Sequence, residues 1–315
     1  MPLLEVRNLR IDFGVRRAVD EVSLSIDPGQ TYCLVGESGC GKSITALSIA
    51  RLLPTPTAAH PSGEILLEGR DVLRMEPREL QRIRGRTVGY VFQEPGAALN
   101  PVMRIGAQIR ESLALHRPGS DSDAEAVRLL KMVGIPDPET RLKAYPHQLS
   151  GGMQQRVVIA LGLAPQPRLL VADEPTTALD VTVQAQIIEL LRDLQRQLGM
   201  AILLITHNLG LVGEIADRVG VMYAGQLVEE GPAGEVLQRP RHPYTRALLR
   251  SVPELGHPAR RLVGLPGNVP GPGDWPQGCR FAPRCPVVRP ACSGPSPGWS
   301  SVAAGHRIRC PFAEG

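Results

Sequence analysis

The period of the hydrophobic pattern changes several times along the chain. Residues 3–9 and 22–26 alternate apolar and polar positions, the two-residue period of antiparallel strands. Residues 31–35 are a short run of the kind that makes a buried strand. Residues 44–53 have helix-forming composition and stop at Pro54. A strand is expected over 63–69, a short polar helix over 76–84 and a buried strand from Val88. Residues 96–145 are rich in helix formers and broken by Pro101, Pro118, Pro136 and Pro138, which predicts a helical insertion with several turns. Ser150 is a cap for a helix that continues as apolar residues 157–164. Then come an apolar strand at 169–173, an amphipathic helix at 183–198, a buried strand at 200–206 and a strand–turn–strand hairpin at 219–230. Strands alternating with helices predict an α/β fold with a largely parallel sheet.

Residues 36–43 turn this pattern into chemistry. They fit G-x-x-x-x-G-K-[ST] between a strand and a helix, the context a phosphate-binding loop requires. Gly36, Gly39 and Gly41 let the backbone curl so that the N–H groups of Glu37, Ser38, Cys40 and their neighbours can face phosphate oxygens. The helix N-terminus, reaching Ile44, adds partial positive charge. Lys42 is expected to reach the β- and γ-phosphates of a nucleotide, and the Ser43 hydroxyl to ligate Mg²⁺. Phe13, upstream, is either an adenine-stacking ring or a hairpin aromatic.

Further polar residues stand where strands end. Gln93 follows the strand at Val88; its amide offers an oxygen to Mg²⁺ and an NH₂ to water or phosphate, or it is a loop residue facing solvent. Asp173 and Glu174 close the apolar strand at 169–173. Asp173 suits Mg²⁺ through water, and Glu174 suits polarising a water for attack on a γ-phosphate. His207 stands at the exit of the buried strand at 200–206, as a structural histidine or a γ-phosphate donor. Ser150, Gly151 and Gly152 open a helix whose first N–H groups are free for an anion.

Bulk properties add limits. At 315 residues the chain suits one large domain plus an extension. A net charge of +4 spread without a Lys/Arg run, with 3% aromatic residues, argues against nucleic acid as a partner. The start at Met1 resembles no signal peptide, and no apolar run approaches the roughly 18–20 residues that span a bilayer. Membrane contact is therefore expected only through a partner.

The set of motifs resembles an ABC transporter ATP-binding subunit. Residues 36–43 resemble its Walker A loop, Gln93 its Q-loop, residues 149–154 its signature and residues 169–173 its Walker B strand. Glu174 resembles the catalytic glutamate, Asp180 the D-loop aspartate and His207 the switch histidine. In the signature, Met153 stands where the family usually has its final Gln, and Gln154 follows. The resemblance covers about residues 1–250. It implies a P-loop ATPase core with an antiparallel β subdomain, a helical subdomain at about 96–165, and a loop-rich extension over 251–315. It also implies ATP and Mg²⁺ as ligands and a second ABC ATPase subunit, against whose ATP Ser150, Gly151, Gly152, Gln154 and Asp180 would lie. Two transmembrane permease subunits and an extracytoplasmic substrate-binding protein complete the implied assembly, which places this chain at the periphery of the cytoplasmic face of the inner membrane. Residues 94–110 would carry closure to the permease. Residues 36–43, 92–95, 145–152 and 242–249 narrow the resemblance to the oligopeptide/dipeptide importers, a subfamily that includes nickel importers. A soluble non-transport ABC ATPase is the alternative from another class.

Of 30 prolines, 12 fall in residues 251–315, a segment with few large apolar residues to bury. Four of the six cysteines lie there: Cys279, Cys285, Cys292 and Cys310, spaced C-x5-C-x6-C-x17-C. Cys33 and Cys40 read as small core residues. The four thiols on turns suggest tetrahedral zinc or a [4Fe–4S] cluster, with free thiols as the bland alternative. Similar tails in the peptide-importer ATPases are associated with an iron–sulfur cluster, and the resemblance favours that choice. The expected role is structural, with no residue linking the cysteines to the ATP site.

Overall fold

Alternation near the N-terminus becomes antiparallel pairing in the computed structural model, which describes residues 1–177, 179–251 and 265–312. Residues 252–264 of the expected extension lie outside the described residues. The chain forms two compact units, one of residues 1–26, 31–74 and 205–315, the other of residues 27–30 and 75–204.

In the first unit, β1 (Leu4–Phe13) runs against β2 (Arg16–Ile26), with Leu4 opposite Ile26 and Phe13 opposite Arg16. The inward positions Leu4, Val6, Leu9 and Ile11 are fully buried. β3 (Thr31–Val35) is buried at every residue and leads through the phosphate loop into α1 (Lys42–Ser48). The helix is shorter than the expected 44–53. The Ser48 hydroxyl bonds the Thr45 carbonyl at 2.6 Å, the partner an α-helix would give to Ile49. Ile49 N–H turns to Ala46 instead, Arg51 adopts φ 50°, and Leu52 N–H closes back on Leu47, a Schellman-type end. β4 (Ala58–Leu67) and β5 (Arg70–Asp71) complete a sheet of order β2-β1-β4-β5.

The second unit begins at α2 (Pro77–Ile83), where Glu76 and Glu79 form a reciprocal capping box. After β6 (Val88–Val91) the chain is helical as far as the next strand. The helices are α3 (Pro95–Ala98), α4 (Ile105–His116), α5 (Ser122–Met132), α6 (Pro138–Arg141) and α7 (Gly151–Leu163). β7 (Leu169–Asp173) lies parallel to β6, with Val88 beside Leu169 and Val91 beside Ala172. Gly89 is required there, because a Cβ would sit 2.5 Å from the Gly162 carbonyl oxygen. α8 (Val181–Leu198) buries Ile187, Ile188, Leu191 and Leu194 on one stripe, as its amphipathic pattern predicts. It leads to β8 (Ala201–Thr206), whose last two residues belong to the first unit.

The rest of the first unit holds α9 (Leu209–Ile215), β9 (Arg218–Tyr223), β10 (Gln226–Pro232), α10 (Ala233–Gln238) and α11 (Pro243–Arg250). β9 is parallel to β3 and antiparallel to β10, the expected hairpin. The described part of the extension is loop-rich, as expected, with little regular structure of its own. It carries a hairpin of β11 (Ser300–Ala303) and β12 (His306–Ile308), and β12 pairs with β10, giving the order β11-β12-β10-β9-β3. The described part of the extension orders itself by sharing an existing core. Phe281 and Ile308 are each 1% exposed, and Phe281 packs edge-on against Tyr223 at 5.3 Å between ring centres. Among the described residues no helix is long and apolar enough to cross a membrane.

Candidate functional site

The phosphate loop takes its shape from positions that only glycine fits. Gly36, Gly39 and Gly41 have φ of 152°, 79° and 108°. A Cβ on Gly36 would lie 2.2 Å from the Met222 carbonyl oxygen, and one on Gly41 2.7 Å from Met222 Cε. At Gly39 there is open space, and the backbone angle alone demands glycine. Lys42 is 4% exposed and donates to the carbonyls of Gly36 at 2.8 Å and Glu37 at 3.0 Å. The ammonium thus lies within the curl of the loop. Thr45 Oγ1 donates to the Gly41 carbonyl at 3.0 Å and steadies the first turn of α1. Ser38 is exposed, and Ser43 and Ile44 are half-buried. Cys33 and Cys40 are fully buried, and burial pushes both thiols up from their ordinary pKa.

The second unit builds an acidic edge. Because β6 and β7 are parallel and in register, Gln93, two residues past Val91, and Glu174, two past Ala172, leave the sheet side by side. Gln93 Nε2 donates to Glu174 Oε2 at 3.2 Å, and Thr177 Oγ1 donates to the same oxygen at 2.9 Å. Glu174 has φ 47°, a sharp turn that swings its carboxylate off the strand axis. Asp173 is 9% exposed at the strand's last position. Gln93 and Glu174, separated by 81 residues in sequence, are thus brought together as a hydrogen-bonded pair. Sequence reasoning missed Thr177; its signal is a hydroxyl three residues after the glutamate.

The signature and D-loop segments share one construction. Ser150 caps α7 by accepting from Met153 N–H at 3.4 Å, and Asp180 caps α8 by accepting from Val183 N–H at 3.0 Å. Gln154 Nε2 donates to the carbonyls of Pro146 and Leu149 at 3.0 and 3.1 Å. Gln184 Nε2 does the same with Thr176 and Leu179 at 3.2 and 3.1 Å. Each glutamine pins the turn ahead of its own helix. The amide nitrogen of Gln154, expected to face a second chain's nucleotide, is therefore occupied within its own loop. Ser150 and Gly151 are exposed; Gly152 packs against Val183, where a Cβ would be 2.9 Å from Cγ1.

His207 is exposed just past β8, and Phe13 is half-buried at the end of β1. The four extension cysteines line one narrow cavity of about 20 Å³, beside His242 and Phe281. Burial raises the Cys279 thiol, and the neighbouring Cys292, Cys310 and Cys285 raise it further. Among the described residues no group of three or more His, Cys, Asp or Glu is arranged to hold a metal ion, so the thiols are not a preformed ligand set.

The extension also reaches the phosphate loop through Arg284, the residue before Cys285. Arg284 forms a two-pronged ion pair with the Glu37 carboxylate, Nη1 to Oε1 and Nη2 to Oε2, each 2.9 Å. Burial lowers the Arg284 pKa, but Glu37 and Tyr223 outweigh it, and the net direction is upward. The Glu37 N–H donates to the Tyr244 hydroxyl at 2.9 Å. Arg280 pairs with Asp20 and donates to the Ala224 carbonyl at 2.6 Å; burial brings its pKa down to about 10. No local pattern in the sequence marks Arg284, and the motif at 242–249 that contains Tyr244 does not reveal its partner, because the two partners lie 247 and 207 residues away.

Comparison with known proteins agrees with this geometry. Residues 19–177 match the ABC transporter family, and residues 228–292 match the oligopeptide/dipeptide transporter C-terminal region. A Brucella melitensis protein, provisionally named a peptide import ATP-binding protein, is 49% identical over 326 positions, covering 98% of this chain and 96% of that one. A Brucella ovis protein with the same type of name is equally similar, with the same coverage. Among solved structures, cbiO1 of Clostridium perfringens, part of an ABC transporter complex, is similar with a TM-score of 0.67 and 27% identity. It covers 76% of this chain and 91% of that one. A dimeric bacterial ABC transporter cassette gives 0.65 and 27%, covering 73% and 98%. The phosphate loop, the glutamate at the end of β7, the serine-capped signature helix and these similarities together show that the chain belongs to the ABC transporter family as an ATPase with an oligopeptide/dipeptide transporter C-terminal region.

Proposed function

We propose that the chain is the ATP-hydrolysing subunit of a peptide importer. The names of the Brucella relatives and the match to the oligopeptide/dipeptide transporter C-terminal region support peptide over nickel as the cargo class. Lys42 and the N–H groups of residues 36 and 38–43 hold the phosphates of ATP, the Glu37 N–H being taken instead by the Tyr244 hydroxyl, and Phe13 stacks on its adenine. Ser43, Gln93 and Asp173 serve Mg²⁺, Glu174 polarises the attacking water, and His207 donates to the γ-phosphate. The observation that carries this reading is the Glu174 carboxylate, fixed at the end of β7 by Gln93 and Thr177. A carboxylate held this way is a positioned general base.

Ser150, Gly151, Gly152 and Asp180 face the ATP of a second ABC ATPase subunit; the dimeric form of the similar bacterial cassette supports this. Gln154 supports that surface indirectly, by pinning residues 146–149. Closure of the pair, on the cytoplasmic face of the inner membrane, drives two transmembrane permease subunits, supplied by an extracytoplasmic binding protein.

The four extension thiols, not preformed as a ligand set, would come together as the donors of a structural metal site only when a metal binds. Their chemistry suits a [4Fe–4S] cluster, which the subfamily resemblance favours, or zinc. Cys279, Cys285, Cys292 and Cys310 would hold either one. Metal analysis after anaerobic purification separates the readings: about four irons per chain for the cluster, about one zinc for the ion. Neither metal, with all four thiols open to alkylation, refutes both.

The decisive test of the ATPase reading is Glu174→Gln in the assembled transporter. Turnover should fall by about 10²–10⁴-fold, the range for a lost general base, while ATP binding persists and the closed dimer accumulates. Near-normal hydrolysis would sink the assignment.

A further inference from the structure

Glu37, the second residue of the phosphate loop, is held on three sides. Its N–H bonds the Tyr244 hydroxyl, its carbonyl accepts the Lys42 ammonium, and its carboxylate takes both prongs of the Arg284 guanidinium. The Arg284 side chain is only 6% exposed. It is fixed in turn: Nε donates to the Pro266 carbonyl at 2.7 Å, and the guanidinium lies 5.7 Å from the centre of the Tyr223 ring. An arginine fixed by its own contacts holds its carboxylate partner in one place, because little side-chain freedom remains to be lost. Arg284 belongs to the C-terminal extension, and Glu37 to the nucleotide-binding core.

The pair has an electrostatic consequence. A loop that wraps phosphates turns its N–H groups towards an anion. A carboxylate on the same loop brings a negative charge close to that anion and, left unpaired, repels it. With Arg284 in place the carboxylate is neutralised and tied to the extension.

Resting on the reading of residues 36–43 as the ATP site, we propose that Arg284 is a positioning residue for ATP binding. It neutralises and anchors Glu37, so that the docked C-terminal extension completes the phosphate loop. The extension is then part of the nucleotide site as well as an appendage to the fold, and a change that shifts the 282–284 turn alters ATP affinity.

The test uses the full-length chain, titrated calorimetrically with ATP. Both tryptophans, Trp275 and Trp299, lie in the extension, so intrinsic fluorescence reports whether each variant keeps it docked. Arg284→Ala should weaken ATP binding about tenfold, in the range of a lost charge-assisted contact. Arg284→Lys keeps the charge but not the fork and should fall between wild type and Arg284→Ala, which preserves the test if the alanine variant loosens the extension. The distinguishing variant is Arg284→Ala with Glu37→Gln. Removing the unpaired carboxylate should recover most of the lost affinity, an outcome that simple loss of packing does not produce. Lys42→Ala is the control for the site itself. If Lys42→Ala weakens binding while Arg284→Ala does not, or if the double variant binds more weakly than Arg284→Ala alone, the role of Arg284 is refuted. If Lys42→Ala leaves affinity unchanged, the reading of the loop as the ATP site falls and this proposal with it.

Discussion

The phosphate loop and the C-terminal extension, both in the first unit, are held by different physics. The loop is fixed by its own main chain: three glycines with positive φ, and a lysine that bonds carbonyls five and six residues back. The described extension is fixed by side chains reaching far along the sequence. Arg307 donates to Glu230 at 2.7 Å, His306 Nε2 sits 2.8 Å from Glu229 Oε1, and Phe281 fills a cluster with Tyr223, Tyr244 and His242. Glu229 also accepts the N–H groups of Arg241 and His242, at 2.7 and 3.0 Å, so this fully buried carboxylate is multiply satisfied. A loop of the first kind tolerates few residues at each position but needs little from its surroundings. A segment of the second kind cannot order without its partners. The Arg284–Glu37 pair makes the first depend on the second.

The largest effect expected from breaking one side of this comparison is at Phe281. Phe281→Ala removes a fully buried ring and should lower the stability of the docked extension by about 3–5 kcal/mol. Tryptophan emission should shift at a denaturant concentration where the core circular dichroism is intact. If ATP affinity then stays at the wild-type value, the two regions are independent; dependence through Arg284 requires it to fall. Gly36→Ala breaks the loop from within. Its Cβ would collide with the Met222 backbone at positive φ, for a loss of about 2–4 kcal/mol in thermal stability and of nucleotide binding. The tryptophan signal of the extension should stay native below the melting transition.

The smallest effect sharpens the comparison through pH. Burial holds the His242 pKa down at about 3, and Nδ1 accepts the Tyr244 N–H at 3.1 Å, which requires the neutral ring. The unfolded chain protonates this histidine near its ordinary value of about 6.5. Between those values the unfolded state binds more protons than the folded state. The stabilising contribution is therefore complete above about 6.5 and declines as pH falls towards 3, by up to about 1.4 kcal/mol per pH unit. His242→Asn should remove one proton's worth of that slope in melts between pH 7 and 5. An unchanged slope would mean that His242 titrates normally. The phosphate loop contains no histidine, and His242 packs against Phe281, so this dependence acts where the core meets the extension.

Much of the candidate chemistry was legible in the sequence because it is written in short stretches. Gly36, Lys42, Ser43, Ser150, Asp173, Glu174 and Asp180 each sit where a local pattern ends: a strand, a cap or a glycine turn. The strand at residues 31–35, the strand at 169–173 and the helix beginning near residue 183 were readable for the same reason, since periodicity and caps are local properties. The helix after the phosphate loop was read too long because Ser48 competes for a backbone carbonyl, a choice that composition does not reveal. The joining of distant groups lay beyond the sequence. Gln93 meets Glu174 only because β6 and β7 are parallel and in register; Arg284 meets Glu37 only because β12 adds to β10 and Phe281 finds a core to share. By itself the sequence determined the phosphate loop, the capped helices and the order of strands and helices, because those follow from steric limits within a few residues. Tertiary structure alone decided what the extension touches, because burial and ion pairing between residues from about sixty to more than two hundred positions apart leave no periodic trace in the chain.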